Sequence, residues 1–532
     1  MSTHENKLCR LIVREHFGPV VEKVANVLIR KGRMPVGMIA RITSLTSKRV
    51  RECLFVMIQH NIAVYAETQE KTRMVTYYEV NRPELLNRAQ IPKVLRSSRE
   101  WYEREGESIA QTMLLHGKLT ITECINDIVA HAGYDKRTSA QRIASLKKSF
   151  TRMVKEKCLI AVRPSDSLTA TDRDMAEEKR ETDKMTLPPT AAEMAAIRRT
   201  LGSQRDQELS KTNIVGLKRT LDSVDTDGGD KRRRLDFGEL TINEEVEADV
   251  FFKINYERFI IRWRNTQIAE LYEARLNPTA KTIMNTILTL AEERMINCKE
   301  DLSLDLAETL EFQQQELGIN GSKPKTGECL DKYIEILEAD LMQILKKDGG
   351  RTGQYVINLK AASKIMKKNL IQTVISSRFG SPYVRIMNML LDKGKLEEKM
   401  ISKFSMMPVK DVREKLTTLC TFGVLNLQEV PKSQDRTPSR TFYLWEVILT
   451  RAADALVDRL YHTMGNLRQR RFVEKAKRAV LLSKCERTDV QANDSLLNAA
   501  EKKELDTLSG ILEMLEVQEL RIAQVVMTLR DF

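Results

Sequence analysis

Apolar residues recur along the chain at helical spacing, and in places that spacing gives way to short β-prone runs. After Pro19 it predicts helices over Val20–Lys31 and Val36–Arg41 and, past a turn at Thr43–Thr46, over Ser47–His60. The β-prone Ile62–Val64 follows, then a polar tip at Glu67–Thr72 and a second β-prone run at Met74–Val80. Three helices followed by strand, tip and strand is the pattern of a winged helix. It returns at Ser108–His116, Ile121–Ala130, Ser139–Lys157 and Cys158–Val162, with a wing that is short or missing. A looser copy between Val250 and Leu359 ends in a helix over Leu330–Lys346 and a strand over Tyr355–Leu359. The clean copy reads Pro382–Lys393, Leu396–Phe404 and Val409–Thr421, then Val424–Val430, a tip at Pro431–Pro438, and Thr441–Val447.

From Ile448 onward the chain has no proline, and its apolar positions form two stripes. One runs Leu449, Ala453, Leu456, Leu460, Met464, Leu467. The other runs Leu505, Leu508, Leu512, Leu515, Ile522, Val526, Leu529, a heptad seam broken once, at Glu519. Polar residues at Thr488–Asp494 separate them, so an antiparallel coiled-coil hairpin is expected, with Leu508, Leu512 and Leu515 as its assembly positions.

Between Phe150 and Phe237 there is no aromatic residue, and over 165–245 acidic residues outnumber basic ones 18 to 14. Such a stretch buries too little to offset chain entropy and reads as a disordered linker. The expected architecture is therefore mainly α: a winged helix over 1–82, a second over 99–163, the linker over 164–245, winged helices over 246–360 and 361–447, and the coiled coil over 448–532.

Composition narrows the function. The 532 residues carry net charge +13, and the acidic linker leaves all of that charge to the rest of the chain. The third helix of a winged helix is the one that enters a DNA groove. In the second unit, Lys136–Lys157 holds eight basic residues and one acidic residue, Glu156. With Ile143, Leu146, Phe150 and Val154 inward, Lys147, Lys148 and Arg152 face out, and Lys136, Arg137 and Arg142 add to a phosphate-binding face. Lys48, Arg49 and Arg51 make a weaker face in the first unit. The third unit's helix begins with Glu328, Asp331, Glu335, Glu338 and Asp340, which suits a protein partner instead. No helix carries the Arg, Asn or Gln pairs that read bases, so DNA binding is expected to be non-specific and salt-sensitive.

Nothing in the chain suggests catalysis. Phosphate-loop, dinucleotide and nucleophile-elbow motifs do not occur. The acidic cluster Asp225, Asp227 and Asp230 reads as a solvated spacer, so neither metal nor cofactor is expected. The six histidines lie apart, with His60 and His116 at helix ends where a positive charge complements the dipole. The eight cysteines are scattered without a C-x-x-C pair, which fits buried thiols in a reducing compartment. Lys218-Arg219, spaced from Lys231-Arg232-Arg233-Arg234, matches a bipartite nuclear-import pattern.

These parts resemble a known family. Lys7–Gly18 (KLCRLIVREHFG), with Val21–Val24, Leu28–Gly32, Gln59–Asn61 and the stretch Pro438–Leu444 (PSRTFYL), is similar to the winged-helix-repeat subunit of eukaryotic RNA polymerase III, the C-three family. The likeness extends to length, four units, interrupting linker and terminal coiled coil. It implies a non-catalytic, DNA-contacting subunit acting in initiation and promoter opening at transfer RNA and 5S ribosomal RNA genes. It further implies a heterotrimer with two other polymerase III-specific subunits, contact with the promoter-bound initiation factor, a nuclear location, and kinship with the alpha subunit of general transcription factor E. The competing reading of the same residues is a winged-helix scaffold subunit of another nuclear complex.

Overall fold

The computed structural model describes residues 2–70, 73–132, 136–184, 190–210, 216–221, 242–292, 295, 298, 302–305, 326–340, 342–347, 354–432, 441–492 and 497–532. The chain is mainly helical with small sheets, and it divides into two compact units. One is Cys9–Phe259; the other is Met1–Leu8 with Ile260–Phe532.

In the first unit, helix Thr3–Lys31 breaks at Gly18 (φ 83°, ψ 177°), and Pro19 opens its second half, where a missing N–H costs nothing. Helices Val36–Thr43 and Ser47–Gln59 follow, joined through Ser44 in the left-handed conformation and started by the Thr46 side chain, which accepts from the Arg49 N–H. Val50, Leu54 and Met57 of the third helix are buried, as are Val24, Leu28 and Ile39 of the two helices before it. The wing is longer than expected. Strands Ala63–Glu70 and Arg73–Val80 pair from end to end, so most of the predicted Glu67–Thr72 tip is strand.

The sheet order shows what the second copy lacked. In the first winged helix the last strand lies centrally, between Met34–Pro35 and Ala63–Glu70. The third has Gln354–Ile357 between Leu302–Asp305 and Leu345–Lys347, and the fourth has Thr441–Glu446 between Leu396–Glu397 and Asn426–Pro431. In the second, Leu159–Ala161 pairs with Phe252–Ile254, and Leu119 bridges Phe252 on the other side. Phe252–Ile254 is thus the central strand, and the strand that pairs with it lies about ninety residues earlier in the chain. The expected boundary at 246 cuts this sheet. Helix Lys136–Lys155 buries Leu146, Phe150, Met153 and Val154, and Phe150 meets Phe252 edge-on at 5.4 Å.

The expected disordered linker also contains regular structure: helices Ala170–Thr182 and Ala191–Ser210 and the hairpin Leu217–Leu221/Ile242–Val246. The helices form without a core because Ala, Glu and Arg favour helix and because Thr169 and Thr190 accept from the N–H groups of Asp172 and Glu193. Arg198 pairs with Glu178 across them at 2.6 Å, and Arg33 of the first winged helix holds Asp172 through both carboxylate oxygens, at 2.9 and 3.0 Å.

A small polar cavity lined by His60, Glu84, Arg88, Gly117 and Tyr256 lies where the first two winged helices meet. Gly117 (φ +84°) is required there, since a Cβ would come 2.4 Å from the Gln59 carbonyl oxygen. Burial and the nearby Arg88 push the His60 imidazole down to about 4, so it is neutral, not the dipole-matching cation expected at that helix end. Burial pushes the Glu84 carboxyl up to about 7. The two act oppositely. His60 contributes stability present above pH 6.5 and lost as pH falls through 4, whereas Glu84 contributes stability present below pH 4.5 and lost as pH rises through 7. Glu84→Gln is therefore expected to gain on the wild type, by about 2 kcal/mol, between pH 4.5 and pH 7. Urea unfolding of both proteins at the two pH values checks this, and a pH-independent difference would refute it.

In the second unit, helices Tyr256–Arg275, Pro278–Glu292 and Thr326–Ala339 precede the third sheet. The predicted helix Leu330–Lys346 stops early because Leu345–Lys347 joins the ladder. Helix Leu359–Phe379 leads into the fourth winged helix, Ser381–Lys393, Glu398–Ser405 and Val409–Phe422, which follows the predicted pattern closely. Beyond it, the long helices Leu449–Lys477 and Ala499–Arg530 pack together, with short helices Ala479–Cys485 and Thr488–Ala492 between them, the second in the expected polar turn.

Candidate nucleic-acid interface

Helix Lys136–Lys155 exposes two members of the expected basic face. Lys147 and Lys148 are exposed, and neither meets a carboxylate among the described residues. Arg152 is engaged: its guanidinium pairs with Glu156 at 2.9 Å and lies 5.3 Å from the Tyr102 ring, while the Tyr102 hydroxyl donates to Glu156 at 2.7 Å. Outward-facing positions on the helix alone do not show this, because Glu156 lies just past the helix end. Arg142 is half-buried, and the side chains of Lys136 and Arg137 lie outside the described residues.

In the first winged helix, Lys48, Arg49 and Arg51 are all exposed on the first turns of helix Ser47–Gln59. On that helix the sequence reading overlooked Phe55, which is 70 % exposed. Its one signal was position: it lies off the Val50, Leu54, Met57 stripe. The acidic helix of the third unit has Glu335 exposed, while Asp340 pairs with Arg275 at 3.1 Å; the side chains of Glu328 and Asp331 are outside the described residues.

The hairpin Leu217–Leu221/Ile242–Val246 lies against helix Lys136–Lys155, and its register sets Lys218 opposite Glu245 and Arg219 opposite Glu244. The first basic cluster of the import pattern is thus part of a β-ladder. The second, Lys231–Arg234, and the acidic Asp225, Asp227 and Asp230 lie outside the described residues. Of the assembly positions, Leu508 is buried whereas Leu512 and Leu515 are half-buried. The break in the heptad seam is itself buried: Glu519 receives Arg468 at 2.5 Å and Arg471 at 2.7 Å, and all three side chains are about 5 % exposed. Spacing along one helix did not reveal this cluster, since the arginines come from the other.

Residues 7–68 match the helix-turn-helix domain of RNA polymerase III subunit RPC82, residues 148–366 match RNA polymerase III subunit RPC82, and residues 371–447 match the C-terminal winged-helix domain of POLR3C. The DNA-directed RNA polymerase III subunit RPC3 of Bos taurus is 28% identical over the whole of this chain and 99% of its own. The RPC3 proteins of Homo sapiens and Danio rerio are 28% and 26% identical, each over the whole chain and 98% of theirs.

Proposed function

The chain belongs to the RPC82/RPC3 family of RNA polymerase III subunits, and on that premise we propose that it is a non-catalytic subunit of the nuclear polymerase that contacts DNA during initiation and promoter opening. It does so at transfer RNA and 5S ribosomal RNA genes, within a heterotrimer of polymerase III-specific subunits that meets the promoter-bound initiation factor. The observation that carries the DNA-contacting role is the pair Lys147 and Lys148, exposed and, among the described residues, without carboxylate partners on the third helix of a winged helix. Lys48, Arg49 and Arg51 extend the contact on the first winged helix. Neither face presents a bidentate base-reading set, so the backbone phosphates are the target. The coiled coil around Leu508, Leu512 and Leu515 serves assembly. Nuclear import through Lys218, Arg219 and Lys231–Arg234 requires strand Leu217–Leu221 to part from Ile242–Val246 first.

Charge reversal separates contact from fold. Lys147→Glu with Lys148→Glu removes two phosphate contacts, so the log–log dependence of DNA affinity on salt flattens by about 2 units. Arg152→Ala leaves that slope unchanged, because its guanidinium is spent on Glu156. A slope that stays the same in the double variant would reduce the basic face to solvated surface.

A further inference from the structure

The fourth winged helix carries an apolar tip that its fold does not require. Helix Glu398–Ser405 ends at Met406, which is left-handed (φ 54°, ψ 40°) and 91 % exposed. The equivalent residue of the first winged helix is Ser44, in nearly the same conformation (φ 56°, ψ 31°). A side chain other than glycine or asparagine adopts that conformation at a cost, and a small polar residue already satisfies the turn. Methionine there adds only a flexible, polarisable apolar group held out into solvent.

Its surroundings extend the tip into a surface. Met400 and Phe404, one turn apart on the same helix, are both more than two-fifths exposed, as is Val409 at the start of the next helix. Lys399 and Lys403 form the adjacent row of that helix, also one turn apart, and Lys410 follows Val409. All three lysines are exposed, and none meets a carboxylate among the described residues; Asp411 and Glu414 are exposed acidic residues on the helix that carries Lys410. The ammonium of Lys393 sits 3.3 Å from the Phe404 ring centroid, capping the tip with a fourth positive charge.

A Met/Phe/Val tip with a lysine rim is complementary to a segment that pairs apolar side chains with carboxylates, and the neighbouring Arg413, which could grip a phosphate bidentately, is paired with Glu398 at 2.9 Å. We propose that the helix-turn-helix tip of the fourth winged helix, centred on Met406 and rimmed by Lys399, Lys403 and Lys410, is a docking site for an acidic, amphipathic segment of a protein partner. Met406 and Phe404 enter between the partner's apolar side chains, and the lysines meet its carboxylates.

The test uses the full chain assembled with the polymerase III core and promoter DNA, with a photo-reactive phenylalanine in place of Val409. The expected product is a crosslink to a polypeptide segment rich in Asp, Glu and large apolar residues. Its yield should fall at least tenfold in the Met406→Ser, Lys403→Glu background. Met406→Ser copies the side chain found at Ser44, so the melting temperature should not change, and the salt dependence of DNA binding by the free chain should match the wild type. A crosslink to DNA or to a basic segment, no crosslink, or a yield indifferent to the two substitutions would each overturn the proposal.

Discussion

Phe252→Ala should unfold the second winged helix while leaving the unit that begins at Ile260 intact. Phe252 is fully buried, meets Phe150 edge-on, and exchanges both backbone hydrogen bonds with Leu119, at 2.8 and 3.3 Å. Truncating a buried phenylalanine costs about 3–5 kcal/mol. Here the loss falls on a small three-helix core that has no other central strand. The residues just beyond depend on the same strand: the Asn255 N–H and side-chain amide donate to the carbonyls of Cys158 and Lys157, and Arg258 donates to that of Glu156. A fragment ending before Val250 should lack the cooperative transition of this domain, and a peptide spanning 250–259 added in trans should restore it. Removing residues 170–210 from the intervening loop should matter far less, since none of the described side chains of those helices is fully buried and the Arg33–Asp172 pair is partly exposed. If the Phe252→Ala chain melted like the wild type by calorimetry and hydrogen exchange, the strand would not be the domain's keystone.

The contrast between these two changes marks how far the sequence could be read. Winged helices one and four were legible because their signals are local. Pro19 and Pro382 open helices, left-handed Ser44 and Met406 close the helices that follow, and each wing returns within a few residues of its partner strand. The second wing was not, because strand Leu159–Ala161 finds its partner beyond a stretch whose polarity suggested an end of structure. Periodicity locates a strand but does not say which distant strand it joins. The basic face was legible as composition: Lys147 and Lys148 stand where the stripe of Leu146 and Phe150 implies, and only the pairing of Arg152 needed coordinates. Phe55 and Met406 were missed for the opposite reason. Each is an ordinary apolar residue in a list, and only its exposure makes it unusual.

Glu519→Ala should be among the most damaging single changes in the coiled coil, more so than truncation of the half-buried Leu512 or Leu515. In the sequence Glu519 is a flaw in a leucine seam. In the fold its carboxylate pairs with both Arg468 and Arg471 of the opposite helix, and all three side chains are almost wholly removed from water. Removing it takes the shared carboxylate from two buried guanidinium groups, at a cost of about 3–5 kcal/mol. Glu519→Gln should recover part of that, since its side-chain carbonyl still accepts a hydrogen bond. The triad need not be a net source of stability, because desolvating three charges offsets most of their attraction. Replacing all three together, with Glu519→Leu, Arg468→Met and Arg471→Leu, should leave stability level or raise it by about 1–4 kcal/mol. What the triad supplies is register: slipping Ala499–Arg530 by one heptad against Leu449–Lys477 would bury Glu519 away from both arginines. The triple variant should therefore melt as high as the wild type yet show multiple helix pairings, read as a loss of efficient disulfide formation between cysteines introduced at facing positions of the two helices. A triple variant that kept one register would leave the triad without that role, and a Glu519→Ala chain as stable as the wild type would mean that the arginines find other partners.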